Sequence, residues 1–452
     1  MLHQIKKHPL ILGTVLLTGA GLISRILGFF YRIFLSRTIG ASGLGLYQLI
    51  FPIFTLCLAV CASGIQTSIS RFVASAESKN IPARYYLYMG LGISVGLSVL
   101  FSMGIYLFAP WIASDILKEP RTGELLRLVC FALTPACVHA CFNGYYYGKS
   151  NSYIPSICQI IEQTVRILGT LLIYQILTEQ HLPLEPIHAV WGLVISELAG
   201  FLVNITAYIG YGDQAMKNPS LLSPNIRSQS FTLLLLPLMQ MALPLTTNHV
   251  LMTLSHSVEH LMLPQQLLAY GYSSDEALSH FGILTGMSMS VILFPGVITN
   301  SLSVLLLPRI AEAKAKGDST LVTDTIKGAL CCGLALGSLC TFIFLFSSNW
   351  IGTYIFDNRL AGYYVQILSI LCPFMYTASL LASIVNGLGY AKLSLGANLL
   401  GCGARLLSIL LLVPLYGMYA YIFSMIGAAI LTVASLLIAL YFLLKKGALL
   451  SL

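Results

Sequence analysis

Four arginines lie inside stretches otherwise apolar enough to cross a bilayer: Arg25, Arg32, Arg166 and Arg405. A guanidinium keeps its charge and presents a planar fork of donors that fits phosphate or carboxylate oxygens two at a time. A cation at the bilayer centre costs at least about 2.5–3.5 kcal/mol, so such a residue faces polar surroundings and marks a pathway. Arg25 and Arg32 are seven positions apart, two helical turns, and project from one face. The chemistry expected of them is contact with an anionic cargo. The competing expectation for Arg32 is snorkelling toward the outer headgroups.

Acids are fewer. Glu162 and Arg166 stand at i and i+4, the order that favours an intrahelical ion pair. Mutual neutralisation is one expectation, and a coupling site that cargo or a cation rearranges is the other. Glu197 suits an arginine partner or a coupling cation, and Arg405 follows Glu162 by 243 positions. The seventh apolar stretch carries Asn248, His249, His256, Glu259 and His260, of which Asn248 and Glu259 are expected to line a cavity. His256 and His260 share a helical face that excludes Glu259, and no third ligand is recognisable, so no metal site is expected. The eleven cysteines follow no metal-ligand spacing and read as packing residues. Gly40-Ala41-Ser42-Gly43-Leu44-Gly45 lacks the strand–turn–helix context of a nucleotide cradle. No cofactor and no enzymatic activity are expected.

The elements that position these residues are membrane spans. The chain has 452 residues, 57% hydrophobic and 9% charged, with a mean hydropathy of +0.84; soluble domains carry roughly 25% charged residues. About twelve segments reach the length of a span: residues 10–35, 44–63, 86–110, 124–147, 153–177, 187–211, 229–254, 280–305, 328–348, 361–387, 394–415 and 418–443. The seventh is punctuated by Pro237, Pro244 and Pro264, which predicts a long bent helix or a helix with a re-entrant piece. The apolar stretch after Lys6 and Lys7 is too long and too basic for a cleavable signal and reads as the first span. Counting Lys and Arg loop by loop places 15 of the 24 on the side of Lys6 and Lys7; Arg37, Lys118, Arg121, Arg127 and Arg359 fall on the other side. Both termini are therefore expected in the cytoplasm. The net charge of +8 follows from that asymmetry and implies no nucleic acid.

The chain also repeats itself. Asn143-Gly144-Tyr145-Tyr146-Tyr147-Gly148-Lys149 recurs as Asn386-Gly387-Leu388-Gly389-Tyr390-Ala391-Lys392, and Phe51-Pro52 recurs as Phe294-Pro295. Both offsets are 243. Six spans per half keep the halves in the same orientation, a parallel repeat with the substrate site expected between lobes. The expected lobes are residues 1–218 and 219–452.

Ser24-Arg25-Ile26-Leu27-Gly28-Phe29, Arg32, and Gly43-Leu44-Gly45-Leu46-Tyr47 resemble the opening of the stage V sporulation protein B family. So do Phe281-Gly282-Ile283-Leu284-Thr285-Gly286, the run from Leu293 through Ser303, and Leu307-Pro308-Arg309-Ile310-Ala311-Glu312-Ala313. The resemblance implies the multidrug/oligosaccharidyl-lipid/polysaccharide exporter superfamily, an all-α polytopic fold of two six-helix lobes with a MATE-like V-shaped central cavity. Its implied cargo is an undecaprenyl-pyrophosphate-linked saccharide, a peptidoglycan precursor, flipped across the bacterial cytoplasmic membrane by alternating access, with a role in spore cortex or cell-wall synthesis. Implied partners are that substrate, membrane lipids and a cell-wall polymerase, around a monomeric chain. Glu259 resembles an acidic position of the family. Three departures stand out: twelve spans are expected here where many relatives have fourteen, Ser290 occupies the place of an arginine in lipid II flippases, and the acidic residue those flippases carry near the start of span 2 is absent. The alternative on the same scaffold is a multidrug/cation antiporter, which should carry carboxylates rather than arginines in its cavity. A third reading is a membrane scaffold that transports nothing.

Overall fold

The computed structural model describes residues 9–78, 83–210, 231–316 and 319–445. They form twelve long helices and no strand: α1 Pro9–Thr38, α2 Gly40–Ala76, α3 Arg84–Ile116, α4 Thr122–Gly148, α5 Tyr153–Glu179 and α6 Pro186–Gly210 in the first half. The second half has α7 Phe231–Tyr270, α8 Ser274–Leu293 continuing as Gly296–Ala315, α9 Thr320–Ile355, α10 Arg359–Gly387, α11 Ala391–Leu411 and α12 Met418–Lys445. Eleven of the twelve contain described segments long and apolar enough to cross a membrane. The other is α7, a single 40-residue helix of about 60 Å at 1.5 Å per residue. Side chains such as Leu100, Phe108, Leu172, Phe342, Phe346 and Phe423 are exposed, as lipid-facing residues are in a helical membrane protein, where backbone polar groups are satisfied within each helix.

The repeat reappears in the backbone. The non-helical turns use left-handed residues in matched pairs: Gly40 (φ 72) and Gly271 (φ 113) after α1 and α7, Lys118 (φ 56) and Asp357 (φ 51) after α3 and α9. Ser150 (φ 55) and Gly389 (φ 85) follow α4 and α10, and His181 (φ 57) and Gly417 (φ 65) follow α5 and α11. Before Lys118 and Asp357 the last turn is a π-turn, Ile112–Ile116 and Ile351–Ile355. The Phe-Pro pairs interrupt α2 and α8, because proline has no N–H to give to the preceding turn. The carbonyls near those breaks find side-chain donors: Ser257 Oγ donates to Pro52 O (3.0 Å) and Tyr376 Oη to Ile292 O (2.7 Å).

The described helices pack as two compact units, Met1–Tyr31 with Leu49–Val258, and Arg32–Gln48 with Glu259–Leu452. The divisions fall inside α1, α2 and α7, whereas a boundary at 218/219 lies outside the described residues. The first unit packs Ile65, Ile69 and Val73 of α2 against Leu87, Cys141, Tyr145 and Leu238. In the second, Ile310 and Ala313 of α8 meet Val322, Leu380, Ile384, Leu436 and Leu440. Equivalent glycines let these helices close: a Cβ on Gly144 would strike the Gln66 carbonyl oxygen, and one on Gly387 would lie 2.8 Å from Leu307 O.

Gly144→Val should therefore destabilise by about 1–3 kcal/mol, the range of overpacked cores. Gly92→Ala on α3, where a Cβ meets nothing within 4 Å, should be neutral or stabilise by up to ~1 kcal/mol. Thermal unfolding in detergent micelles checks both, and equal midpoints for the two variants would refute the close α2–α4 approach.

Candidate functional site

Each compact unit holds one cluster of intramembrane charge. In the first unit α4, α5 and α6 contribute it. Arg166 Nη2 donates to Glu197 Oε1 (3.2 Å) and its Nε to Ser196 Oγ (3.1 Å). His139 lies between two carboxylates, with Nδ1 3.2 Å from Glu162 Oε1 and Nε2 3.2 Å from Glu197 Oε2. Cys158 Sγ donates to Glu162 Oε1 (3.1 Å), and Asn204 Nδ2 donates to Cys158 Sγ (2.9 Å). Gly200 leaves the space that Glu162 fills, since a Cβ there would collide with its carboxylate.

In the second unit the cluster joins α7, α11 and α12. Arg405 grips Glu259 with both arms of its fork, Nε to Oε1 at 2.7 Å and Nη2 to Oε2 at 3.1 Å. Tyr421 Oη donates to Oε1 (2.6 Å). Glu259 is 3% exposed. Leaving its charge unmatched there would cost several kcal/mol, and three donated hydrogen bonds answer it.

These contacts revise the sequence expectations at several points. Arg166 meets its carboxylate on α6, not Glu162 on its own helix; the neighbour of Glu162 is His139. Glu259, expected in a cavity, is enclosed by its partners. Arg405 matches the position of Arg166 rather than Glu162, because the connection from Asn143 to the start of α5 at Tyr153 is five positions longer than that from Asn386 to the start of α11 at Ala391. From those starts Arg166 is the fourteenth helical residue and Arg405 the fifteenth. Both halves thus carry an arginine at one place, each bound to a glutamate from another helix. His260 packs edge-on against Phe281, 5.9 Å between centroids. The side chain of Asn248 lies outside the described residues.

The α1 arginines behave differently. Ser24, Gly28 and Tyr31 turn toward α5: Ser24 Oγ donates to Gln159 O (3.4 Å), Gly28 faces the Gln163 side chain, and Tyr31 Oη lies 3.0 Å from Thr170 Oγ1. Arg25 is off that face and exposed, with no hydrogen-bond or ion-pair partner among the described residues. In the second unit the half-buried Arg32 donates from Nη1 to Ser290 Oγ (2.8 Å), a hydroxyl whose own proton goes to Gly286 O (2.6 Å). No carboxylate pairs with Arg32 among the described residues. Arg37, counted in the sequence as a loop charge, caps the end of α9 by donating to the carbonyls of Ile355 (2.8 Å) and Tyr354, where the helix dipole favours a cation. The sequence reading passed over His139, Tyr421 and the serine partner Ser196, and noted Ser290 only as standing in the place of an arginine of lipid II flippases. Their charged partners all come from other helices, so the periodicity of a single helix gives no signal for these pairings.

An all-helical, internally repeated chain with charge clusters inside its spans is a multi-pass membrane protein of the exporter fold. Residues 10–314 match the family described as polysaccharide biosynthesis protein, and the chain belongs to it. It is 27% identical to stage V sporulation protein B of Bacillus subtilis (strain 168), over 87% of this chain and 76% of that one. It is 24% identical to the lipid II flippase MurJ of the same organism, over 95% of this chain and 81% of that one. Among solved structures, lipid II flippase MurJ in an inward closed conformation superposes with a TM-score of 0.70 at 15% identity, covering 94% of this chain and 87% of that one. An inward-facing multidrug resistance MATE family transporter gives 0.66 at 14% identity, with 95% of each chain covered. At those identities the structures establish the shared fold.

If Glu259 and Arg405 neutralise each other, Arg405→Met should cost about 3–5 kcal/mol, the range for a buried pair that loses one member. Adding Glu259→Gln should recover much of the loss. A thermal-unfolding double-mutant cycle in detergent reads the coupling, and strictly additive effects would contradict the pairing.

Proposed function

We propose that the chain is a secondary flippase that carries the anionic headgroup of a lipid-linked saccharide across the cytoplasmic membrane by alternating access, its lipid tail remaining in the bilayer. One observation carries this reading. Of the four intramembrane arginines, Arg166 and Arg405 are taken up by Glu197 and Glu259, while Arg25 and Arg32 have no acid partner among the described residues. Two uncompensated guanidiniums on one span suit a phosphate-bearing group, which the fork binds in a bidentate manner. The names of the relatives support the cargo class, since one is called a lipid II flippase and the family a polysaccharide biosynthesis family.

With both termini in the cytoplasm, as the loop charges favour, an interior-negative potential drives an anion outward, at about 2.3 kcal/mol per charge per 100 mV. A carrier of cationic drugs would need an acid free to receive the drug. Here Glu197 and Glu259 are held by arginines, and Glu162 lies against His139.

The test is flipping of fluorescent lipid II, and of other undecaprenyl-linked glycans, by the purified protein in liposomes. Arg25→Ala and Arg32→Glu should each slow transfer by about tenfold or more, as expected when a charged hydrogen bond to the cargo is lost. Transfer at the original rate by both variants would sink the reading.

A further inference from the structure

The imidazole of His139 has a carboxylate oxygen at each of its nitrogens, both at 3.2 Å. A neutral imidazole has one N–H to donate, so its other nitrogen would set a lone pair against an oxygen lone pair. Both contacts are satisfied when the ring carries two N–H groups, or when one carboxyl carries the proton instead. Counted with Arg166, the group is neutral with that extra proton and carries one negative charge without it. We propose that His139, Glu162 and Glu197 form an exchangeable proton site, and that release and rebinding of this proton is coupled to the carrier cycle. The coupling rests on the flippase reading above; the site itself does not.

Three further features fit. The side chains of His139 and Glu162 each keep 16% exposure and that of Glu197 keeps 9%, against 4% for the side chain of Glu259, so this cluster is less enclosed than the second unit's glutamate. The charged groups acting on His139 are Glu162 and Arg166 from α5 and Glu197 from α6. Beside them stand Cys158, which donates to Glu162, and Asn143 on α4, whose amide nitrogen is 3.4 Å from His139 Nδ1. Asn143 Oδ1 is buried without a hydrogen-bond partner; an amide turned over would place that acceptor toward the Nδ1 proton. In the second unit Glu259 is answered by a guanidinium and a phenol, with His256 and Cys402 close by, and its cluster holds no second carboxylate among the described residues.

The step is a simple transfer. Imidazolium, or the carboxylic acid, gives its proton to water on one side of the membrane, and the resulting net charge of minus one is relieved by reprotonation from the other. An inward proton and an outward anionic headgroup move charge in the same electrical sense, so membrane potential assists both.

Two measurements test this. In the first, infrared difference spectra of the full chain in liposomes are followed against pH. A protonation band of imidazolium or carboxylic acid should titrate in the unaltered protein, and His139→Gln and Glu162→Gln should each abolish or displace it. Identical titrations in all three proteins would overturn the site. In the second, transfer of fluorescent lipid II is followed with and without an inward proton gradient, with a pH-sensitive dye inside the vesicles. The unaltered protein should speed up by about tenfold across the titration range and carry protons with the cargo, whereas His139→Gln should lose the pH dependence. Transfer without proton movement, or an unchanged pH profile in His139→Gln, would overturn the coupling. A titrating band in a protein that moves no lipid-linked glycan would instead sink the flippase reading and leave the proton site standing.

Discussion

The governing constraint is that a charge within the hydrocarbon must be answered by another charge or by hydrogen bonds. In each compact unit this decides which helices meet at mid-span. Arg166 ties α5 to α6 through Glu197, and Arg405 ties α11 to α7 through Glu259, with Tyr421 of α12 completing the shell. Apolar contacts alone discriminate poorly between helix partners in lipid, because the tails outside are as apolar as leucine. A buried bidentate pair accepts one geometry, and here it supplies a register that leucines cannot.

Much of the architecture was legible in the sequence. The hydropathy segments correspond to the helices, and the two Phe-Pro landmarks mark real interruptions in α2 and α8. The seventh segment, expected to be long and bent or split, is one helix of 40 residues. The pairing of charges was much less legible. Helical periodicity reports which residues share a face of one helix, so it offered Glu162 as the partner of Arg166 and could not see Glu197 across the interface. His139 reads in the sequence as a lone polar residue in an apolar helix, and only the approach of α5 and α6 gives it two carboxylates. The equivalence drawn between Glu162 and Arg405 failed for a different reason. It extended a helix-end landmark into the next helix, and the distance from that landmark to the next helix start is five residues longer in the first half.

The two halves have diverged in a way that has chemical meaning. Arginine persists at one helical position, while its glutamate comes from α6 in the first half and α7 in the second. The first half adds a histidine and a second glutamate to the pair, which makes its charge adjustable. The second adds a tyrosine, which at neutral pH can donate but not ionise, with His256 and Cys402 close by.

The same reasoning separates Arg32 from the bracing arginines. Its partner is the neutral Ser290, and no carboxylate among the described residues matches the charge of the guanidinium. Ser290 lies just after the π-turn Ile283–Ser288 and shortly before the Phe294-Pro295 break, a stretch where α8 departs from regular hydrogen bonding and irregularities commonly serve function. A hydroxyl is readily exchanged for a phosphate oxygen, because the incoming contact is charge-assisted and the outgoing one is not. Arg405 has no comparable incentive to leave Glu259, since any anion would have to displace a carboxylate already bound by both arms of the fork. Among the arginines with a described hydrogen-bond partner inside the spans, Arg32 is thus held most weakly, and Arg166 and Arg405 are held by carboxylates.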